Sequence, residues 1–543
     1  MRVKAIAVTL SLAALSALAV MQAPAPPQPS LSALVPTGAL LVLEAKNFSR
    51  LLGDWDASPE KDLWLKSDNY QVFSRSRLLM RLADAQEEFS GAAGLAPDLQ
   101  MLSAVAGGES AVAIYDIGSL EFLYVSRMPT AKAVETALWQ KRNDYTPRNA
   151  GGKPFFVRTD TKTRRTLAFA ATDDYLLLAT REDLLAGALQ LMAGTGTPVK
   201  SDRWYDQATR AATAAGELRL VLNIEGLLGT AHFRSYWIQR NISDLRQYRA
   251  GVVDLTRSAG EIREERVFLR TAESSPAANT AVNEAISLVP DEAGLYQAWA
   301  SPSTDEAAAL LERKILAPRQ FTPTRGAATS GDEADLETQI DEAPLDVRGD
   351  RFQSAALRKV LEGMKLEAML QLESSRVLPG DVFLGHQTAI VLVAASDWDG
   401  AAVRTAIAQS VERLWTSARL GAKWVDRPDG YSVLDGLARV AVTVRGRQLI
   451  VADAPVTLVA ARAPAGGASD VVYAAGFRHA RESANFIRMM RLIERPSSSS
   501  DEERQPLFFS DNLGSLSRTL ARVDSASLVV RATGRQTLVY KLK

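Results

Sequence analysis

The chain has 543 residues, 47 % of them apolar, with Lys plus Arg and Asp plus Glu balanced at 63 each and no cysteine. That length exceeds one compact core and suits two to four domains. The charge balance provides no broad basic field for a nucleic-acid backbone, and the missing cysteine excludes disulfides, thiolate nucleophiles and Cys-held metal clusters.

Met1-Arg2-Val3-Lys4 supplies positive charge ahead of an uncharged run over 5–21, and Ala17-Leu18-Ala19 places small residues at a cleavage spacing. Residues 1–21 therefore read as a signal peptide or an N-terminal membrane anchor. The Pro-rich stretch 22–30 reads as an extended spacer, because proline fixes φ and disfavours helix in the residue before it.

The folded part opens on Leu34-Val35-Pro36-Thr37-Gly38-Ala39, followed by an apolar run that predicts a strand over 40–45. Pro36 suits the entrance to that strand, where its missing donor costs nothing. A short helix or turn is expected over 48–55, and a helix over 70–88 with Phe73, Leu78, Leu79 and Leu82 on its buried face. Residues 110–116 and 120–127 form a hairpin candidate. Thr130 is the expected N-cap of a helix over 131–141. Strands follow over 154–159, 166–171 and 175–180, with Asp173-Asp174 in a tight turn, and then a helix over 181–192. The unit closes with a strand over 217–223, helical material over 231–248 and a hairpin from 251–255 into 262–269.

Leu288-Val289-Pro290-Asp291-Glu292-Ala293 repeats the opening phrase. A strand over 294–299, a helix over 304–316, a polar surface insertion over 321–351 and a helix over 353–372 come next. Then come a strand over 388–395 and a helix over 401–414, which Asp397-Trp398-Asp399 precedes as Met128-Pro129-Thr130 precedes its own. Strands over 421–426 and 431–434 lead to a meander over 438–445, 448–452 and 456–461. A strand over 471–476, a helix over 480–493 and a surface insertion over 495–506 follow. A helix over 513–518 and a hairpin over 526–530 and 536–540 match the close of the first half.

The expected fold class is thus α+β, built from two tandem related units over 31–270 and 285–543 joined by a linker over 271–284. Each unit is a mainly antiparallel sheet covered by helices, with the helices expected on one face.

Chemistry leaves few marks. His232, His386 and His479 lack paired His spacing or an evident carboxylate set, and read as surface or hydrogen-bonding residues. Nucleophile-elbow, phosphate-loop and dinucleotide signatures are missing, and Asp173-Asp174, Glu264-Glu265 and Arg164-Arg165 read as surface or turn residues. No catalytic residue, no metal ligand and no cofactor is assigned. Trp204, Tyr205, Tyr236 and Trp237 are the candidates for an interface, since Trp and Tyr bring large rigid contact areas.

The two Leu-Val-Pro openings and the pattern over 34–44 and 167–189, including Ala168-Phe169-Ala170 and Tyr175-Leu176-Leu177-Leu178-Ala179, resemble a family of uncharacterised exported bacterial proteins that carry domains of unknown function. That resemblance supplies no catalytic residues. The expectation is a non-catalytic exported scaffold or protein-interaction subunit of the cell envelope, with a protein partner or a membrane-associated assembly and no nucleic acid. The alternatives are a periplasmic module for an unnamed small ligand and, behind it, an envelope hydrolase.

Overall fold

The computed structural model describes residues 30–67, 70, 74, 77–212, 214–231, 245–271, 280–291, 293–316, 354–377, 384–415, 423–435, 440–453, 470–485 and 520–543. The leader, the spacer as far as residue 29, His232, Tyr236, Trp237, both surface insertions, the expected strand over 456–461 and the expected helix over 513–518 lie outside these residues. The fold is α+β, with helices packed on antiparallel sheet. Two compact units emerge, each described below by itself. The first comprises the described residues of Met1–Leu51, Asp84–Thr209 and Leu220–Ile238, and the second those of Leu52–Ala83, Arg210–Arg219 and Gln239–Lys543.

The first unit contains β1 (Leu41–Ala45), β2 (Ser110–Asp116), β3 (Glu121–Arg127), β4 (Thr146–Ala150), β5 (Lys153–Thr159), β6 (Thr166–Thr172), β7 (Tyr175–Ala179) and the end of β8 (Leu218–Leu222). Their order across the sheet is β8-β1-β2-β3-β7-β6-β5-β4. The β6–β7 turn carries Asp173 and Asp174 at φ 51° and 61°, the left-handed pair that a tight hairpin turn requires. Edge strand β4 is exposed and holds Pro147, which has no donor to offer a ladder.

Both faces of this sheet are buried. Leu123, Val125, Ala168, Ala170, Leu177 and Ala179 pack under the helix Glu182–Met192 together with Leu31 and Leu34. Their neighbours Tyr124, Leu167, Phe169, Leu176 and Leu178 point the other way, into a core with Ala92, Ala93, Val105 and Leu138. Helices on one face only is therefore corrected: the unbroken apolar run 176–179 is what a strand buried on both sides requires.

The opening phrase closes one of these cores. Val35 is buried, its carbonyl accepts from Val199 N–H at 2.7 Å, Thr37 N–H donates to Thr197 O at 3.2 Å, and Pro36 bridges Pro198. The Pro36 carbonyl accepts from Tyr115 Oη at 2.8 Å, and burial pushes the Tyr115 phenol above its ordinary range.

The second unit contains β9 (Tyr248–Arg257), β10 (Glu261–Arg270), β11 (Leu295–Ala300), β12 (Leu366–Val377), β13 (Leu384–Ala394), β14 (Lys423–Arg427), β15 (Tyr431–Asp435), β16 (Val440–Arg445), β17 (Gln448–Ala452), β18 (Val471–Phe477), β19 (Val523–Arg531) and β20 (Arg535–Leu542). Its order is β9-β10-β20-β19-β18-β11-β12-β13-β17-β16-β15-β14, antiparallel at each pair. The run from β18 to β14 has the order of β8 to β4, each strand standing ten places later in the chain. Again both faces are packed, one by Thr304–Leu311, Ala355–Glu362 and Gly400–Trp415 and the other by Ala281–Ser287 with Leu288 and Val289.

Local contacts also match. Leu40 N–H donates to Ile114 O at 2.7 Å, and Gly294 N–H to Glu373 O at 2.9 Å. Asn223 N–H donates to Leu40 O at 2.9 Å, and Arg478 N–H to Gly294 O at 2.8 Å. Before each crossover helix a backbone N–H reaches the turn of the neighbouring hairpin, Met128 to Asp174 O and Trp398 to Gly446 O, both at 2.9 Å.

Three expectations need correcting. The helix over 353–372 ends at Glu362, and Leu366–Val377 is a strand: ladders to β11 and β13 outweigh the helical propensities of Met369, Leu370 and Gln371. The helix over 131–141 is two short pieces, Thr130–Ala133 and Ala137–Gln140. Thr136 caps the second through Trp139 N–H at 3.3 Å, while Thr130 N–H instead donates to Asp174 Oδ1. In the helix Arg77–Ala93, Leu82 is exposed.

Asp254 on β9 is buried, and both its oxygens accept from the Arg219 guanidinium at 2.8 Å, with Gly216 N–H adding a bond at 2.9 Å. Removing one member of such a pair strands a buried charge. Asp254→Ala is expected to lower unfolding free energy by about 3–5 kcal/mol in denaturant titration; a change near zero would show that water reaches this pair.

Candidate functional site

A sheet packed on both faces has room for polar side chains chiefly at its strand ends. In the second unit one such end collects them. The helix Thr304–Leu311, started by a capping box of Ser303 and Glu306, continues into a π-turn, Glu312–Leu316. Turns of this kind interrupt the α-helical ladder and recur at functional sites. This one presents Lys314, whose Nζ lies 2.7 Å from Glu373 Oε1 on β12. Gln371, two residues earlier on the same face of the strand, donates to the same oxygen at 2.6 Å. His386 on β13 places Nε2 3.6 Å from Glu373 Oε2.

Asp453, just past β17, accepts from Thr388 N–H at 2.9 Å. Ser375, the next residue of β12 on the Glu373 face, donates through its hydroxyl and its N–H to Glu482 Oε2, and Asn485 Nδ2 donates to Ser375 Oγ at 2.9 Å. Glu482 is only 4 % exposed. A side chain on Gly294 would collide with its carboxylate, so glycine there is what lets the acid lie flat against the chain.

The electrostatics follow from these contacts. The bonds from His386 and Lys314 outweigh the desolvation of Glu373 and hold its carboxyl at about 2. The same pairing raises His386 above its ordinary value, with Asp453 adding attraction and Lys314 opposing it. Burial pushes the Asp453 carboxyl up. The cluster thus offers an imidazole–carboxylate pair that favours the protonated ring, a lysine and a second, half-buried carboxylate. Among the described residues no group of three or more His, Asp or Glu side chains is placed to hold a metal ion.

The corresponding end of the first unit is closed differently. The matching backbone bonds set Ile114 against Glu373, and strand register then sets Phe122 against Thr388. The matching helical turns Leu227 N–H to Asn223 O and Glu482 N–H to Arg478 O set buried Leu227 against Glu482. Phe122 stacks on Phe89 where the second unit has its charges. Thr180 and Asp453 also correspond, each side chain accepting from the backbone N–H of Phe122 or Thr388.

The residues singled out from sequence fall elsewhere. Tyr205 is buried, its hydroxyl donates to Glu44 Oε1 at 3.2 Å, and half-buried Trp204 meets it edge to face. Tyr236 and Trp237 lie outside the described residues. His479 is buried against Phe477 with Nδ1 3.3 Å from Val523 O, and burial lowers its pKa. Arg165, read as a solvated turn flank, is largely buried and pairs with Glu88. Sequence reasoning missed Lys314, Glu373 and Glu482, which lie far apart in the chain. One signal was present, the acidic and polar residues at the end of an otherwise apolar β12.

No protein-family profile and no curated protein matches the chain. Among solved structures, crystal forms I and III of TP0453 align at 10 % and 12 % identity, covering 46 % and 48 % of this chain and 82 % and 87 % of that one, each with a TM-score of 0.25. This is a weak structural likeness, and no conclusion about activity or partner rests on it.

The Glu373–His386 pair has a defined pH signature. Glu373, lowered from 4.5 to about 2, contributes stability that is present above pH 4.5 and lost as the pH falls towards 2. His386, raised above 6.5, contributes stability that is complete below that pH and lost as the pH rises through its folded value. The pair's contribution is therefore greatest between those ordinary values, while Asp453, raised above 3.8, lowers stability as the pH rises from 3.8 through its folded value. Proton NMR is expected to place the His386 ring midpoint above 6.5, with a downward move in Glu373→Gln; an unmoved midpoint would mean that Glu373 is not its partner.

Proposed function

We propose that the chain is an exported protein of the bacterial cell envelope that works by binding, not catalysis, and that the Glu373 end of its second sheet takes a small ligand. One observation carries this reading. Where the first unit closes its sheet end with Ile114, Phe122 and Leu227, the second has Glu373, Thr388 and Glu482. A fold that closes with apolar residues has no structural need for carboxylates there, and burying charge costs several kcal/mol of desolvation. Such a cost, borne at one of two corresponding ends, points to use.

Binding is favoured over hydrolysis by the orientation of the serine. Ser375 stands directly opposite His386 in the ladder, yet its hydroxyl is directed to Glu482. A nucleophile needs its base within hydrogen-bond reach.

In this reading the chain is a leader over 1–21, a spacer over 22–30 and two tandem related units over 31–270 and 285–543, produced by duplication. The ten-place strand correspondence and the paired backbone bonds support it. The apolar, uncharged run over 5–21 supports export or anchoring. Among the described residues, no helix is long and apolar enough to cross a membrane.

A protein-scaffold role is the second reading, favoured by Trp55, Leu65, Met80 and Leu82, which stay exposed on the helices after β1. The two readings separate experimentally. Native mass spectrometry of protein released gently from cells should show a retained small molecule, lost in a Glu373→Ile, Thr388→Phe double variant whose circular dichroism is unchanged. Ligand-free protein that instead holds a reproducible protein partner, released by Trp55→Asp with Met80→Asp, would replace the first reading with the second.

A further inference from the structure

Independently of the ligand reading, we propose that the outer edge of β14 is a docking site for an extended acidic segment of a partner protein, which joins the sheet as a further strand. Among the described residues β14 is the last strand of its sheet and pairs with β15 alone. Lys423, Val425, Asp426 and Arg427 are all exposed. The inner face of the strand is pinned: Trp424 Nε1–H donates to Arg404 O at 3.2 Å, and Asp426 Oδ1 accepts from Ser432 Oγ at 2.6 Å. The turn beyond it is closed by Gly430 N–H to Arg427 O at 3.1 Å and by Thr443 Oγ1 to Gly430 O at 3.0 Å. An edge already held extended needs little further ordering when a second strand joins it.

The corresponding edge of the first unit is blunted. There β4 holds Pro147, which offers no donor, and its Arg148 pairs with Glu182 at 3.4 Å. Every residue of β14 carries a backbone N–H. In the ladder Lys423 stands opposite Asp435 and Arg427 opposite Tyr431, yet neither cation is ion-paired among the described residues. Strand alternation puts Lys423, Val425 and Arg427 on one face, away from Trp424, which packs on the core. A joining strand thus meets a cation, an apolar side chain and a second cation in turn, and acidic, apolar and acidic residues complement them. The same pattern disfavours a second copy of this chain. Antiparallel pairing about Val425 sets Lys423 against the copy's Arg427 at both ends, and like charges directly opposite each other are destabilising.

Fluorescence anisotropy on the full chain tests this with a blocked Thr-Glu-Thr-Val-Thr-Glu-Thr peptide and its Thr-Lys-Thr-Val-Thr-Lys-Thr counterpart. Two further forms of the acidic peptide carry methylated backbone nitrogens at alternate residues, one form in each phase. Saturable binding of the acidic peptide is expected, with none of the basic one. Lys423→Glu with Arg427→Glu should weaken the acidic peptide at least tenfold and bring in the basic one, an exchange that misfolding does not produce. A joining strand uses the donors of one edge only, so one methylated form should lose binding and the other keep it. Should the charge-reversed variant fail to fold, the methylated pair on the unaltered chain still decides. Failure of the acidic peptide to saturate, undiminished binding by the charge-reversed variant, or equal behaviour of the two methylated forms would overturn the proposal. A dimer in sedimentation velocity that Val425→Pro disperses would put a second copy on this edge and overturn it as well.

Discussion

Burial of both sheet faces is the constraint from which most of this structure follows. A strand that alternates between two cores must be apolar at nearly every position, as 176–179 and 389–393 are. Each sheet then needs helices on both sides: the crossovers between β1 and β2, β11 and β12, and β13 and β14 supply one side, and Glu182–Met192 and Ala281–Ser287 supply the other. The Leu-Val-Pro phrases belong to the same constraint. Leu34 and Val35, or Leu288 and Val289, plug the core just before the first strand, and the proline carbonyl that follows is held by Tyr115 in one case and Arg478 in the other.

The same constraint limits where chemistry can be placed. Charges on the middle of β12 or β13 would face packed side chains, so the polar set begins where the apolar alternation stops, at Gln371 and Glu373 on one strand and Thr388 and His386 on the next. Lys314 reaches the same point because the π-turn offsets it from the regular helical ladder. Compare Arg447, which joins Glu284 to Glu367 across the other end of β12 and ties the helix Ala281–Ser287 to the sheet. That cluster is a brace with both its carboxylates satisfied. Glu482 is held by Ser375 on one oxygen and by Arg481 near the other.

Much of the architecture was legible in the chain. Apolar runs, Gly and Asp turns and the repeated Pro phrase located the strands and hairpins of both halves, because those signals are local. What was missed depended on partners distant in sequence. Residues 366–372 have helical composition and became a strand only through ladders with β11 and β13. The short helix Ala281–Ser287 carries small residues, Ala281, Val282 and Ala285, whose burial gives no strong period. Tyr205 looked like interface material because its hydroxyl partner, Glu44, lies on another element. The site was least legible of all. Lys314, Glu373, His386 and Glu482 are unremarkable in their own neighbourhoods, and only the β11–β12–β13 ladder with β18 brings them to one end.

Comparing corresponding ends within one chain provides an internal control that a single sheet lacks. Where one end uses half-buried Ile114 and Phe122 and buried Leu227, hydrophobic burial stabilises the closure, by up to roughly 1.5–3 kcal/mol for Leu227. Where the other uses Glu373, Thr388 and Glu482, that gain is forgone and desolvation is added, offset in part by Lys314, His386 and Ser375. Both ends nevertheless close the same backbone with the same bonds to Leu40 or Gly294. The polar residues are therefore not what builds the strand end, and the stability they forgo is a measure of what their function must be worth.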